Sequence, residues 1–132
     1  MRVVRTDRAP APLAGAPYSQ AIAAVPGEIV WVSGQVAIDP ESGKLIDDGV
    51  RGQTALALRN VAAILEAAGS ALDQVVKTTV FMADLADFGA MNEVYAEIFA
   101  GHAPARATFQ VAALPAGALV EIEAVAVIPA EG

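Results

Sequence analysis

Residues 119–128, LVEIEAVAVI, alternate with a period of two, and Val120, Ile122, Ala124, Ala126 and Ile128 are all apolar. Successive side chains on a strand leave opposite faces, so this run commits one whole face of a strand to a core. An apolar face of that length must be covered by another layer, which restricts the chain to a sheet packed against helices or against a second sheet.

The rest of the sequence supplies helices for that layer. From Arg51 to Ala68, the residues Leu58, Val61, Leu65 and Ala68 recur at helical spacing with Ile64 beside them, and Gly69 is placed to end the helix. VVKTTVFM (75–82) is rich in β-branched and aromatic residues and reads as a strand. Asp84 or Asp87 can then cap a second helix starting near Phe88, whose apolar stripe is Phe88, Met91, Tyr95 and Phe99. Val3 to Thr6 can form a short first strand, followed by a proline-rich surface lead-in, RAPAPLAGAP. The runs 18–25 and 28–36 flank Pro26-Gly27, a pair suited to a type II turn, and predict a β-hairpin. ATFQVAAL (107–114) and the Pro115–Gly117 turn region lead into the final strand. The pattern predicts one α+β domain over residues 1–132, with two helices on one face of a mixed sheet.

Composition narrows the function. Apolar residues make up 55% of the chain and charged residues 17%, which leaves little polar material to cover a monomer, so some apolar surface is expected to meet another subunit. The net charge of −7 disfavours nucleic acid and anionic membranes as partners. No cysteine is present, which removes disulfides and thiolate metal sites. Arg2, Arg5 and Arg8 are not followed by an apolar segment of signal-peptide or membrane-spanning type, so a cytoplasmic protein is expected. SGK at 42–44 lacks the glycine spacing and the following Ser or Thr of a phosphate loop.

Several residues interrupt this regular pattern. Arg106 sits between a proline-containing loop and a strand, either as a two-pronged clamp for a carboxylate or as half of a structural ion pair. Asn92 lies within the apolar stripe of the second helix, where a buried amide must cap backbone, join a network or face a ligand. Glu121 and Glu123 share a strand face with Leu119, Val125 and Val127; Glu123 reads as solvated, and Glu121 lies nearer the strand's start, where a cleft could receive it. Ser33-Gly34 interrupts a strand, as happens where a backbone or ligand comes close. Tyr18 offers a phenol after Pro17, a position that more often packs than reacts. His102, the single histidine, reads as an exposed loop residue, and Lys77 as the cover of a sheet edge.

Five ordered blocks, PYSQA (17–21), SGQVAIDPESGKL (33–45), residues 60–99 beginning NVAAILEAAGS, PARATFQVAALP (104–115) and VEIEAVAV (120–127), closely resemble the RidA family (reactive intermediate deaminase A, also called YjgF). The resemblance covers essentially the whole chain. It implies a mixed six-stranded sheet of chorismate-mutase-like type with two helices on one face, assembled as a homotrimer. It further implies hydrolysis of 2-imino acids or their enamine tautomers to 2-oxo acids and ammonia, without cofactor or metal, in clefts between subunits. Carried over by position, Arg106 would hold the substrate carboxylate and Glu121 would position or activate the attacking water. Tyr18, Ser33, Gly34 and Asn92 would line the pocket, and the backbone of Thr108 would contact the nitrogen or the water. The chain departs from the family pattern at Ala16, where a glycine is common, and at Ala107-Thr108, which replace a common serine and a frequent cysteine; the latter pair alters pocket size and polarity.

Two other activities fit parts of the same resemblance. A non-catalytic module that binds a 2-oxo acid or another small carboxylate would need Arg106 but not Glu121. A ribonuclease or translation inhibitor, also known in the family, runs against the net charge of −7.

Overall fold

The computed structural model describes residues 1–25 and 27–130. Its elements are β1 (Arg2–Val4), β2 (Ala21–Ala23), β3 (Glu28–Gln35), α1 (Gly49–Ala67), β4 (Val75–Met82), α2 (Phe88–Phe99), β5 (Ala105–Gln110) and β6 (Val120–Ile128). Four strands form a sheet in the order β3-β6-β4-β5; β4 and β5 run parallel, while β6 is antiparallel to both its neighbours. A parallel pair needs a long crossover, which α2 supplies between β4 and β5.

The α+β class, both helices and the mixed sheet agree with the sequence reading. Strand β4 falls on VVKTTVFM, α2 starts at Phe88, and Gly69 follows α1 with a φ of +86°. Along β6 the apolar alternation is realised: Val120, Ile122 and Ala126 are fully buried and Ala124 nearly so. With Leu58, Val61 and Leu65 of α1, Val75, Val80 and Met82 of β4, and Met91, Tyr95 and Phe99 of α2, they make one core between the sheet and both helices.

Three expectations need correction. The strands do not form one six-stranded sheet: β1 and β2 make a separate two-stranded ribbon, joined to the larger sheet at a bridge between Ser19 and Ala105. The expected hairpin between 18–25 and 28–36 is not made, because β2 pairs with β1 and β3 pairs with β6. Strand β2 keeps only three residues, whereas β6 has nine with which to pair the eight of β3. Pro26 of the proposed type II turn lies outside the described residues. Lys77, finally, is not at an edge: β4 lies between β5 and β6, and Lys77 is exposed on the face away from the helices.

Buried polar side chains tie the helical layer to the sheet. Gln53 of α1 accepts the Leu119 N–H at 2.8 Å and donates to the Ile46 carbonyl at 3.1 Å, which fixes the entry to β6. Ser70 donates to Val127 O at 2.6 Å near the other end of that strand. Gln20 likewise pins the lead-in, accepting from Thr6 N and donating to the carbonyls of Thr6, Ala9 and Pro10. Replacing Gln53 by Ala would strip the Leu119 amide of its partner; we expect a loss of about 1–3 kcal/mol in urea unfolding, the usual cost of an unpaired buried polar group. Unchanged stability would contradict the role given to Gln53.

Candidate active site

Arg106 is the second residue of β5, so it lies inside the strand rather than at a loop border. In the parallel ladder it stands opposite Thr78, and Thr108 stands opposite Val80; the antiparallel ladder sets Val80 opposite Ile122. Directly opposed residues share a sheet face. Arg106 and Thr108 therefore lie on the face that the helices cover, at the β5 edge of the four-stranded sheet.

The guanidinium there is enclosed by aromatic rings. Its central carbon lies 4.9 Å from the centroid of Tyr95, 5.4 Å from that of Tyr18 and 5.6 Å from that of Phe88, all within cation–π range. Nη1 donates to Asn92 Oδ1 at 2.7 Å. Among the described residues no carboxylate forms a salt bridge with Arg106; the ion pair found is Arg51 with Glu93 on the helix surfaces. Of the two readings of Arg106, the structural ion pair is thus not the one adopted. Burial lowers the guanidinium's pKa below its ordinary value, while Tyr95 and Tyr18 act in the opposite direction. It remains a cation, since arginine does not deprotonate in proteins.

Local backbone contacts bring Tyr18 to this place. The Ser19 amide donates to Pro104 O at 3.1 Å and the Ser19 hydroxyl donates to Ala103 O, so the residue after Tyr18 is fastened to the segment that enters β5. The Tyr18 hydroxyl accepts the Leu13 amide at 3.0 Å, which draws the lead-in across the site. Asn92 serves neither as a cap nor as a free amide; it orients the arginine. The Thr108 hydroxyl is buried without a hydrogen-bond partner among the described residues.

Glu121 lies elsewhere. It stands opposite Phe81 on β4, hence on the face away from the helices, and it is half-buried. Gly34 falls where the β3–β6 register shifts, between Val32 and Gln35. A Cβ on Gly34 would come within 2.8 Å of the Glu121 carboxyl carbon, so the missing side chain is what lets the glutamate lie across β3. Ser33 opens onto a cleft lined by Trp31, Lys77, Thr79 and Glu123. The sequence-predicted residues thus form two clusters on opposite faces: Arg106, Asn92, Tyr18 and Thr108 on one, and Glu121, Gly34 and Ser33 on the other. Glu123 is exposed, as expected. His102 is not the exposed loop residue anticipated: it is half-buried, with Nε2 2.6 Å from Val75 O. Among the described residues no group of three or more His, Cys, Asp or Glu side chains is placed to hold a metal ion. No helix there is long and apolar enough to cross a membrane.

Sequence reasoning assigned Phe88 and Tyr95 to the apolar stripe and missed their contact with Arg106. The available signal was the Tyr in place of Phe at position 95, because a fully buried phenol needs a polar partner.

What the fold and the site define is an α+β protein with a caged arginine, free of carboxylate among the described residues, at the edge of a mixed sheet. The chain matches the family model described as Endoribonuclease L-PSP over residues 8–128. It is 50% identical over 126 residues to the mouse (Mus musculus) 2-iminobutanoate/2-iminopropanoate deaminase, covering 96% of this chain and 90% of that protein. The structure of RidA from an Antarctic Psychrobacter superposes with a TM-score of 0.74 at 42% identity, covering 97% of this chain and 100% of that one. Escherichia coli TdcF with bound serine gives a TM-score of 0.72 at 42% identity, covering 96% and 98%. The chain belongs to the RidA/YjgF family, to which these relatives and the matching model correspond.

The surroundings of Tyr95 make a pH prediction. Burial raises its phenol from 10.0 to about 12, against the opposing influences of the Thr78 hydrogen bond and the Arg106 charge. The folded protein then holds this proton more tightly than the unfolded chain, so the stability linked to it is complete below pH 10.0 and is lost as pH rises through about 12. In Tyr18→Phe, which leaves Tyr95 as the only tyrosine of the two, phenolate absorbance should rise with a midpoint of about 12. A midpoint at the ordinary value would contradict the buried position.

Proposed function

We propose that this protein hydrolyses 2-imino acids and their enamine tautomers to 2-oxo acids and ammonia, acting on substrates of the 2-iminobutanoate and 2-iminopropanoate kind. The observation that carries this reading is the caged guanidinium of Arg106, which is held in position yet has no carboxylate beside it among the described residues. A planar guanidinium binds a carboxylate through two parallel hydrogen bonds, and every 2-imino acid carries that group next to the reacting carbon. The mouse relative is named for this reaction, and the related TdcF structure contains serine, a small amino acid with a carboxylate.

The chemistry asks little of the protein beyond placement. The imine carbon is already electrophilic, so a water fixed beside it can add once the carboxylate is anchored. Glu121 accepts a proton as the water oxygen bonds to carbon and passes it to the imine nitrogen, giving a carbinolamine. It then takes the carbinolamine hydroxyl proton and delivers it to the nitrogen as the carbon–nitrogen bond breaks, so both water protons leave with ammonia. Ammonia leaves and the 2-oxo acid remains. The buried Thr108 hydroxyl, without a partner among the described residues, shares the face of Arg106 and offers a further hydrogen bond to a bound ligand. The scheme uses no cofactor.

Because Arg106 and Glu121 lie on opposite faces of one sheet, the reading places the reaction in a cleft between copies of the chain. Arg106 is supplied by one subunit and Glu121 by its neighbour, in a homotrimer. Support comes from the uncovered face of the sheet, where Trp31 is 74% exposed, Phe109 51% and Ile29 47%, an unusual load of apolar surface for a face turned to water. For the nuclease reading the chain offers one histidine, and that ring is engaged with a backbone carbonyl.

A 2-imino acid generated in situ by an amino acid oxidase tests the assignment. Wild type should accelerate its decay. Glu121→Gln should lower kcat by roughly 10²- to 10⁴-fold with KM little changed, as for loss of a general acid–base group. Arg106→Lys keeps the charge but not the planar fork, and should raise KM. Decay with wild type no faster than in protein-free buffer would overturn the deaminase reading, and full activity in Glu121→Gln would favour binding without catalysis by that residue.

A further inference from the structure

Tyr95 stands at the centre of the Arg106 cluster, although its place in the apolar stripe of α2 reads as core. It is fully buried in α2, and its hydroxyl lies 2.6 Å from the hydroxyl of Thr78, itself buried on β4. Thr78 is the residue directly opposite Arg106 in the β4–β5 ladder. One aromatic side chain therefore touches both members of that cross-strand pair: its hydroxyl meets Thr78, and its ring lies 4.9 Å from the Arg106 guanidinium. Of the three surrounding rings it is the nearest.

Core packing does not require this arrangement. Phe at position 95 would fill the same volume and stack equally well on Phe99, whose ring centroid is 4.6 Å away. Two hydroxyls buried on each other contribute little net stability, since replacing both by apolar groups of the same shape is close to neutral. What the pair does provide is a fixed ring: a Tyr held at its tip by the sheet cannot slide along the arginine. Asn92 restrains Nη1 from the same helix, three residues earlier. Face and one corner of the guanidinium are then fixed, and among the described residues the donors of Nε and Nη2 have no protein acceptor and are open to a ligand.

We propose that Tyr95, anchored by Thr78, is the positioning residue of the Arg106 clamp, setting the angle at which the free guanidinium edge meets the substrate carboxylate. The proposal rests on the reading of Arg106 as a carboxylate clamp. Tyr95 touches no substrate in this scheme and acts through the arginine. Burial raises its phenol pKa, against the influence of the Thr78 hydrogen bond, as fits a hydroxyl in a dry site.

The test combines a measurement on the arginine itself with one on the substrate. In a protein labelled with ¹⁵N, the Arg106 Nε–Hε signal, assigned by its absence in Arg106→Lys, should be shifted by ring currents and slow to exchange with water. Tyr95→Phe and Thr78→Val should each speed that exchange. Each should also raise KM for the imino acid, and Kd for 2-oxobutanoate, by roughly three- to tenfold, the equivalent of one ordinary hydrogen bond, with kcat nearly unchanged. The double variant should be no worse than either single one, because both remove the same anchor. In an Arg106→Ala background, neither substitution should alter 2-oxobutanoate binding further. An unmoved Nε–Hε signal together with unchanged KM in both single variants would overturn the proposal, as would an equal effect with and without Arg106. Should wild type fail to hydrolyse the imine while the Nε–Hε signal still responds to Tyr95→Phe, the positioning role would stand and the deaminase reading would fall.

Discussion

Successive side chains of a strand leave opposite faces, and in this sheet that alternation separates the two residues on which hydrolysis would depend. Thr78, Val80, Arg106, Thr108 and Ile122 share the helix-covered face; Phe81 and Glu121 share the other. A one-residue slip of β6 would exchange its buried apolar set for Leu119, Glu121 and Glu123, so the register is fixed by the core and cannot adapt to the site. The placement of Glu121 is thus a consequence of the same alternation that makes β6 fold. If the two residues act on one molecule of substrate, they must come from different copies of the chain, and the apolar face carrying Trp31 is a surface that a second copy could cover.

Around Arg106 the problem is electrostatic. Withdrawing a cation from water is costly unless other groups replace its hydration. Here three aromatic faces and one amide oxygen do so, and among the described residues no carboxylate does. A permanent ion pair would stabilise the charge more fully but would occupy the edge that the proposed substrate carboxylate would take. The cage keeps the guanidinium ordered and leaves its capacity for a carboxylate unspent. Gly34 plays a comparable part for Glu121, by omitting a side chain where the carboxyl group must lie.

Much of this was legible from the amino acids alone. The period-two run at 119–128, the β-branched run at 75–82 and the stripe from Phe88 to Phe99 each have a strong local signal, and each became the predicted element. The oddities also found each other in space: Asn92 within an apolar stripe meets the arginine set beside apolar residues, and the glycine inside a strand meets Glu121. Pairing was less legible, because the partner of a strand is decided by contacts distant in sequence. Strand β3 found β6, nearly a hundred residues away, rather than β2 beside it. The strands divide into two sheets because β2 pairs with β1 and β3 with β6, with an isolated bridge from Ser19 to Ala105 between them. Tyr95 looked like core because it is core; its phenol was the one local sign of a polar partner, and that the partner is Thr78, opposite Arg106, is decided by the tertiary fold.

The central claim, that one site draws Arg106 from one copy and Glu121 from another, can be tested by complementation. Arg106→Ala and Glu121→Ala chains, each inactive alone, would be co-expressed so that mixed assemblies form, and imine hydrolysis compared with that of each parent. Sites shared between copies predict recovery of about one quarter of wild-type activity in an equal mixture, since about that fraction of interfaces in a randomly assembled ring would pair an intact arginine with an intact glutamate. Mixed assemblies as inactive as the parents would contradict the shared site.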